Sequence, residues 1–144
     1  MIKIRILLLI TIFAFSLNVT QDEVVDCAKK QLKIRYTSGG VSPKTGFDCS
    51  GLAYYCHKNK IPRSPAEQYN NAPKKIKVGQ QKAGDLVFFK CFGHSSISHT
   101  AISLGGNSFI EAPYPGKTVR IHYLNPGYCG GKIAGVARYW KNGK

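Results

Sequence analysis

Around Lys82-Ala83-Gly84 the spacing of apolar residues changes, and that change constrains the fold more than any other feature of the chain. Before it, hydrophobic residues recur three and four apart, as on one face of a helix; after it, they come in short runs cut by Gly, Pro and Asn. In the first half, Val24, Val25, Ala28, Leu32 and Ile34 predict a helix from about Asp22 to Arg35, with acidic residues at its start and basic ones at its end. A loop with Ser38-Gly39-Gly40 and Ser42-Pro43 follows. A second helix is predicted from Cys49 to about His57, with Asp48 as its N-cap and Leu52, Ala53, Tyr55 and Cys56 toward the core. Ser64-Pro65-Ala66-Glu67 reads as a capping box opening a short third helix. In the second half, residues 85–90, 98–104, 108–112, 118–123 and 133–140 read as strands, and Gly105-Gly106-Asn107 as a tight hairpin turn. Helices followed by an antiparallel sheet make an α+β fold, and 144 residues without repeat or linker make one domain.

Lys3 and Arg5, the apolar run from Ile6 to Phe15, and Ala14-Phe15-Ser16 predict a signal peptide over residues 1–16, leaving residues 17–144 as the mature domain. The run is shorter than the ~20 apolar residues that span a bilayer, so secretion without stable membrane insertion is expected. Loss of the leader lowers the formal charge from +14 to about +12. A body this basic favours anionic polymers, bacterial wall polymers included, through salt-dependent attraction. Its lysines are dispersed, and no helix-turn-helix or zinc-finger spacing is present, so nucleic acid is not the expected partner.

All five cysteines lie beyond the leader. In an oxidising compartment an odd count leaves a thiol over. With Cys49 set aside, the other four can pair in three ways, and the sequence does not choose among them. The preferred pairing is Cys27 with Cys56, both on predicted helices of one half, and Cys91 with Cys129, each flanking a predicted strand.

Cys49 stands in the first turn of a predicted helix, where unpaired backbone N–H groups stabilise a thiolate, the form that attacks a carbonyl. His99, at the start of a strand, can reach a helix N-terminus packed on the sheet and form an imidazolium–thiolate pair. His57 is too far along the helix from Cys49, His94 lies in a loop, and His122 is on a later strand. Across the hairpin, Glu111 falls opposite Thr100 or Ala101, where its carboxylate can accept the second imidazole N–H. No usual zinc spacing occurs, and neither metal nor cofactor is expected.

Phe47-Asp48-Cys49-Ser50-Gly51-Leu52, preceded by Tyr36 and Gly39-Gly40, resembles the nucleophile segment of the NlpC-type cell-wall cysteine peptidases. Lys82-Ala83-Gly84-Asp85-Leu86-Val87-Phe88-Phe89, then Ser98-His99-Thr100-Ala101-Ile102 and Phe109-Ile110-Glu111-Ala112, resemble that family's histidine half. The resemblance implies a papain-like fold with the cysteine helix packed on a five- or six-stranded antiparallel sheet. It implies hydrolysis of peptidoglycan stem peptides, typically at the γ-D-glutamyl to diamino-acid bond; a monomer is expected. By position, Cys49 matches the nucleophile and His99 the general base, while Glu111 stands where relatives usually carry a second histidine, or a polar substitute, to orient the first. Tyr36 matches a tyrosine near the oxyanion, and Asp48 and Ser50 match contacts to the free amino end of the stem peptide. Two other readings use the same fold: a basic wall-binding protein without activity, and an amidase or acyltransferase.

Overall fold

The computed structural model describes residues 18–142, so the expected signal peptide lies outside the described residues. The first helix, α1, runs Gln21–Lys30 and is capped by Thr20, whose side chain accepts from the Glu23 N–H. It ends earlier than expected. Gln31 closes it, Lys33 takes a positive φ of 75° and donates its N–H to the Val119 carbonyl, and the Ile34 carbonyl accepts from the Val119 N–H. Tertiary pairing with the distant 118–119 segment thus overrides the helical spacing of Leu32 and Ile34.

A two-stranded hairpin, β1 (Val41–Ser42) and β2 (Gly46–Phe47), leads directly into α2 (Cys49–Cys56). The short α3 (Pro65–Asn70) begins at the expected proline, but Ser64 makes no side-chain cap hydrogen bond. The capping box is therefore not formed. Here Pro65 supplies a preset helical φ at the first turn, and the buried Gln68 ties the helix down by donating to the carbonyls of Ser50 and Pro62.

Six antiparallel strands form the main sheet, in the order β3-β8-β4-β5-β6-β7. They are β3 (Lys74–Ile76), β4 (Leu86–Phe89), β5 (His99–Gly105), β6 (Ser108–Glu111), β7 (Arg120–Tyr123) and β8 (Gly135–Arg138). Five of these coincide with the runs read as strands, β5 ending one residue past its expected limit. β3 does not: its Lys74-Lys75 pair has no apolar alternation, and it survives as a short, charged edge strand, a form that discourages further pairing.

Every residue of β4 is buried. Leu86 and Phe88 join Phe47, Leu52, Ala53, Ile102 and Ile110 in a core between sheet and helices. Val87 and Phe89 point into a second cluster with Ala101, Phe109 and Val136, covered by the segment carrying Leu124, Tyr128 and Ile133. Burying a side chain such as Leu52 or Phe47 contributes about 1.5–3 kcal/mol, so α2 is anchored by both. Two disulfides, Cys27–Cys56 and Cys91–Cys129, match the preferred pairing. The first ties α1 to α2; the second ties the exit of β4 to the segment over the second cluster. Both fit an oxidising compartment. Cys49 is the free cysteine.

Candidate active site

The nucleophile candidate owes its position to the turn before it. Asp48 has an extended backbone, and its Oδ1 accepts from the Gly51 N–H at 2.7 Å, capping α2. Its Oδ2 accepts from the Gly39 N–H at 3.0 Å and from Arg63 Nη2 at 2.6 Å. Gly51 packs so closely on this loop that any Cβ would collide with the Gly40 carbonyl oxygen. Helix start and loop are thus fitted backbone to backbone, with Cys49 held in the first turn.

His99 opens β5, the sheet strand on which α2 rests, and its Nε2 lies 2.8 Å from Glu111 Oε1. The other ring nitrogen, Nδ1, makes no hydrogen bond to a described residue, and the imidazole is near enough to the Cys49 thiol for each to shift the pKa of the other. Burial acts to raise the thiol pKa, but the hydrogen bond and charge of His99, with the backbone N–H of Thr100, bring it below the usual thiol value. Burial likewise disfavours the imidazolium; Cys49 and Glu111 outweigh it and push the histidine up to about 9. The imidazole therefore keeps its proton at neutral pH, and the thiol beside it is shifted toward the thiolate.

Glu111 is fully buried and has three partners. His99 and the Tyr128 hydroxyl share Oε1, and Arg120 Nε donates to Oε2 at 2.9 Å. Against the effect of burial, these hold the carboxyl below its ordinary range. Burial and the Glu111 charge push the Tyr128 phenol above its own ordinary range, so it remains a donor. Its ring packs among Phe89, Phe109 and His122, with centroids 4.8–5.4 Å away.

Tyr36 lies near Cys49, Asp48 and Arg63; burial, followed by the charges of Cys49 and Asp48, raises its phenol above the ordinary value. Ser50 is buried, and its hydroxyl accepts from Arg63 Nη1 at 2.8 Å. The six residues picked from sequence thus fall into two connected groups around one thiol. Among the other histidines, His57 is buried with Nδ1 2.8 Å from the Ala53 carbonyl, and burial lowers it to about 4. Among the described residues no three His, Cys, Asp or Glu side chains gather as a metal site requires.

Three residues of this arrangement escaped sequence reading: Arg63, Arg120 and Tyr128. Arg63 follows Pro62 in a loop, and Tyr128 lies in a turn-rich segment; neither has a periodicity to place it. Arg120 was readable in principle, since β6 and β7 are adjacent and Glu111 pairs directly with it.

A helix-start thiol, a strand-start imidazole and a bracing side chain on the next strand are held in the order and spacing of one family, and the NlpC/P60 family model matches residues 33–138. The chain belongs to the NlpC/P60 family. Among its relatives, the murein DD-endopeptidase MepH of Escherichia coli is 38% identical over 116 residues, covering 76% of this chain and 42% of that protein. A γ-DL-glutamyl hydrolase of Bacillus subtilis is 38% identical over 120 residues, covering 81% of this chain and 29% of that protein. An NlpC/P60 family protein from Bacillus cereus superimposes with a TM-score of 0.75 at 32% identity, covering 86% of this chain and 41% of the other. This NlpC/P60 chain therefore spans less than half the length of those relatives.

Proposed function

We propose that residues 17–144 form a single secreted domain that acts as a monomeric cysteine peptidase on the stem peptides of bacterial peptidoglycan. The observation that carries this reading is the free Cys49 thiol at a helix N-terminus, beside an imidazole that lowers its pKa and that Glu111 braces at 2.8 Å. The Cys49 thiolate attacks the scissile carbonyl, and the oxyanion takes hydrogen bonds from the Cys49 backbone N–H and the Tyr36 hydroxyl. His99 gives its proton to the leaving amine as the tetrahedral adduct collapses to a thioester. It then takes a proton from water, whose hydroxide releases the acyl half as a carboxylate and restores the thiol pair. Glu111 keeps the ring oriented and stabilises its charge throughout.

The bond we assign is the γ-D-glutamyl to diamino-acid link. The names of the relatives differ on this point: one is a DD-endopeptidase and one a γ-DL-glutamyl hydrolase. The motif resemblance favours the second, with Asp48 and Ser50 toward the free amino end of the acyl half. Purified peptidoglycan digested by the wild type and by Cys49→Ala, with products identified by mass, tests the whole reading. Fragments ending at D-glutamate from the wild type alone are expected. Equal digestion by both proteins removes the mechanism, and release of acyl-transfer products instead of hydrolysed ones moves the chain to the acyltransferase reading.

A further inference from the structure

Lysines dispersed along the sequence converge at the end of the sheet away from the thiol. β4 runs from Leu86 to Phe89; Phe89 pairs with His99, whereas Leu86, at the other end, pairs with Ala137 of β8. At about 3.3 Å per residue, that other end lies roughly 10 Å from His99. There β3, β8 and the approach to β4 border a groove of about 530 Å³, whose wall includes Lys74, Lys82, Arg138, Tyr139, Trp140 and Lys141. Among the described residues no Asp or Glu lines it.

Most of its charge is uncompensated. Lys74, Lys82 and Lys141 are exposed, and none makes a salt bridge to a described residue. Arg138 donates from Nε and Nη2 to the fully buried Asp85, which balances that one charge. Lys74 stands directly opposite Arg138 in the β3–β8 register, a placing of like charges that weakens a strand pair. An anion in the groove relieves that repulsion.

The side chains select the kind of anion. A carboxylate is best held by the planar fork of an arginine, and the fork here is occupied by Asp85. What remains is three ammonium groups, compact charges with three donors each, which suit the oxygens of phosphates. Nucleic-acid bases find no platform to stack on. Trp140 is buried with the Arg138 guanidinium 4.4 Å from its ring centroid, and the half-buried Tyr139 donates its hydroxyl to the Gln68 carbonyl. Successive phosphates of one chain engage the lysines together, so each contact strengthens the next.

We propose that this groove binds a polyol-phosphate chain, a phosphodiester polymer without bases, and holds the protein to a phosphate-bearing surface with the Cys49 end left open. The inference goes beyond the peptidase reading and does not depend on it.

Fluorescence anisotropy of end-labelled poly(glycerol phosphate) gives the Kd for the wild type and for two variants that each lose three charges. One carries Lys74→Gln, Lys82→Gln and Lys141→Gln; the other carries Lys29→Gln, Lys30→Gln and Lys60→Gln, away from the groove. All six lysines are exposed and make no salt bridge to a described residue, so both variants should keep the wild-type melting transition. The groove variant is expected to bind on the order of tenfold more weakly, with a shallower salt dependence, and the control variant within about threefold of the wild type. Equal weakening in both means that charge spread over the whole body does the binding, and it overturns the site. Unlabelled polygalacturonate and a DNA duplex of matched charge test the class of polymer. Unlabelled poly(glycerol phosphate) is expected to displace the probe best. Equal or better displacement by polygalacturonate assigns the groove to carboxylates, and by the duplex to nucleic acid; either result overturns the proposal.

Discussion

Glu111 Oε1 and His99 Nε2 lie 2.8 Å apart with the carboxylate fully buried, so the imidazole is held by a charge that water does not screen. A carboxylate stabilises the imidazolium more strongly than a neutral ring can.

The pH dependence should carry the mark of this pair. Activity needs Cys49 ionised and His99 protonated. The thiol lies below its ordinary value and the imidazole is pushed up to about 9. kcat/KM on a soluble tripeptide should therefore rise with pH through the lowered thiol value, hold a plateau, and fall near pH 9 as His99 loses its proton. A profile still rising at pH 9 contradicts an imidazolium–thiolate resting state.

Glu111→Gln keeps the shape and removes the charge. The imidazole then loses its main stabilising anion apart from Cys49, and its pKa falls. The expected result is a loss in kcat of roughly 10²-fold or more, with the falling limb of the pH profile moved to lower pH. A merely structural role for Glu111 would lower thermal stability and leave that limb in place.

Asp85 tests the scaffold apart from the site. Its fully buried carboxylate accepts from Arg138 at 2.7 and 2.8 Å, from Trp140 Nε1 at 2.8 Å and from the Lys82 N–H at 2.8 Å. It therefore joins the entry to β4 with β8 and the chain beyond it. Asp85→Asn leaves the Arg138 charge without its partner and should cost about 3 kcal/mol, read by urea denaturation. Activity well below the melting transition should stay near that of the wild type.

Where local rules govern, the sequence was informative. Hairpin geometry placed Glu111 beside the start of β5, because Gly105-Gly106-Asn107 set the register, which holds from Ile102–Ile110 apart from an irregularity near the turn. Asp48 was legible as a cap because capping depends on one residue and the N–H groups just after it. What escaped depends on chain that local rules do not direct. Tyr128 reaches Glu111 from a segment fixed by Cys91–Cys129 and by ring packing on Phe89 and Phe109. The early end of α1 and the presence of β3 lie beyond local rules for a related reason, since pairing with distant segments decides both.

The disulfides divide the site in an unexpected way. Cys27–Cys56 closes a ring that contains Tyr36, Asp48, Cys49 and Ser50; Cys91–Cys129 closes another that contains His99, Glu111, Arg120 and Tyr128. Attacking group and proton carrier thus belong to separate covalent loops, each of which restricts its own half of the unfolded chain by about 3–4 kcal/mol. Beyond the intervening chain of residues 57–90, they are joined noncovalently, by packing of α2 against β5 and by backbone hydrogen bonds of Lys33, Ile34 and Tyr36 with Lys117 and Val119. Loosening that seam would separate two internally tethered modules, so the machinery can come apart and re-form while each module remains covalently closed.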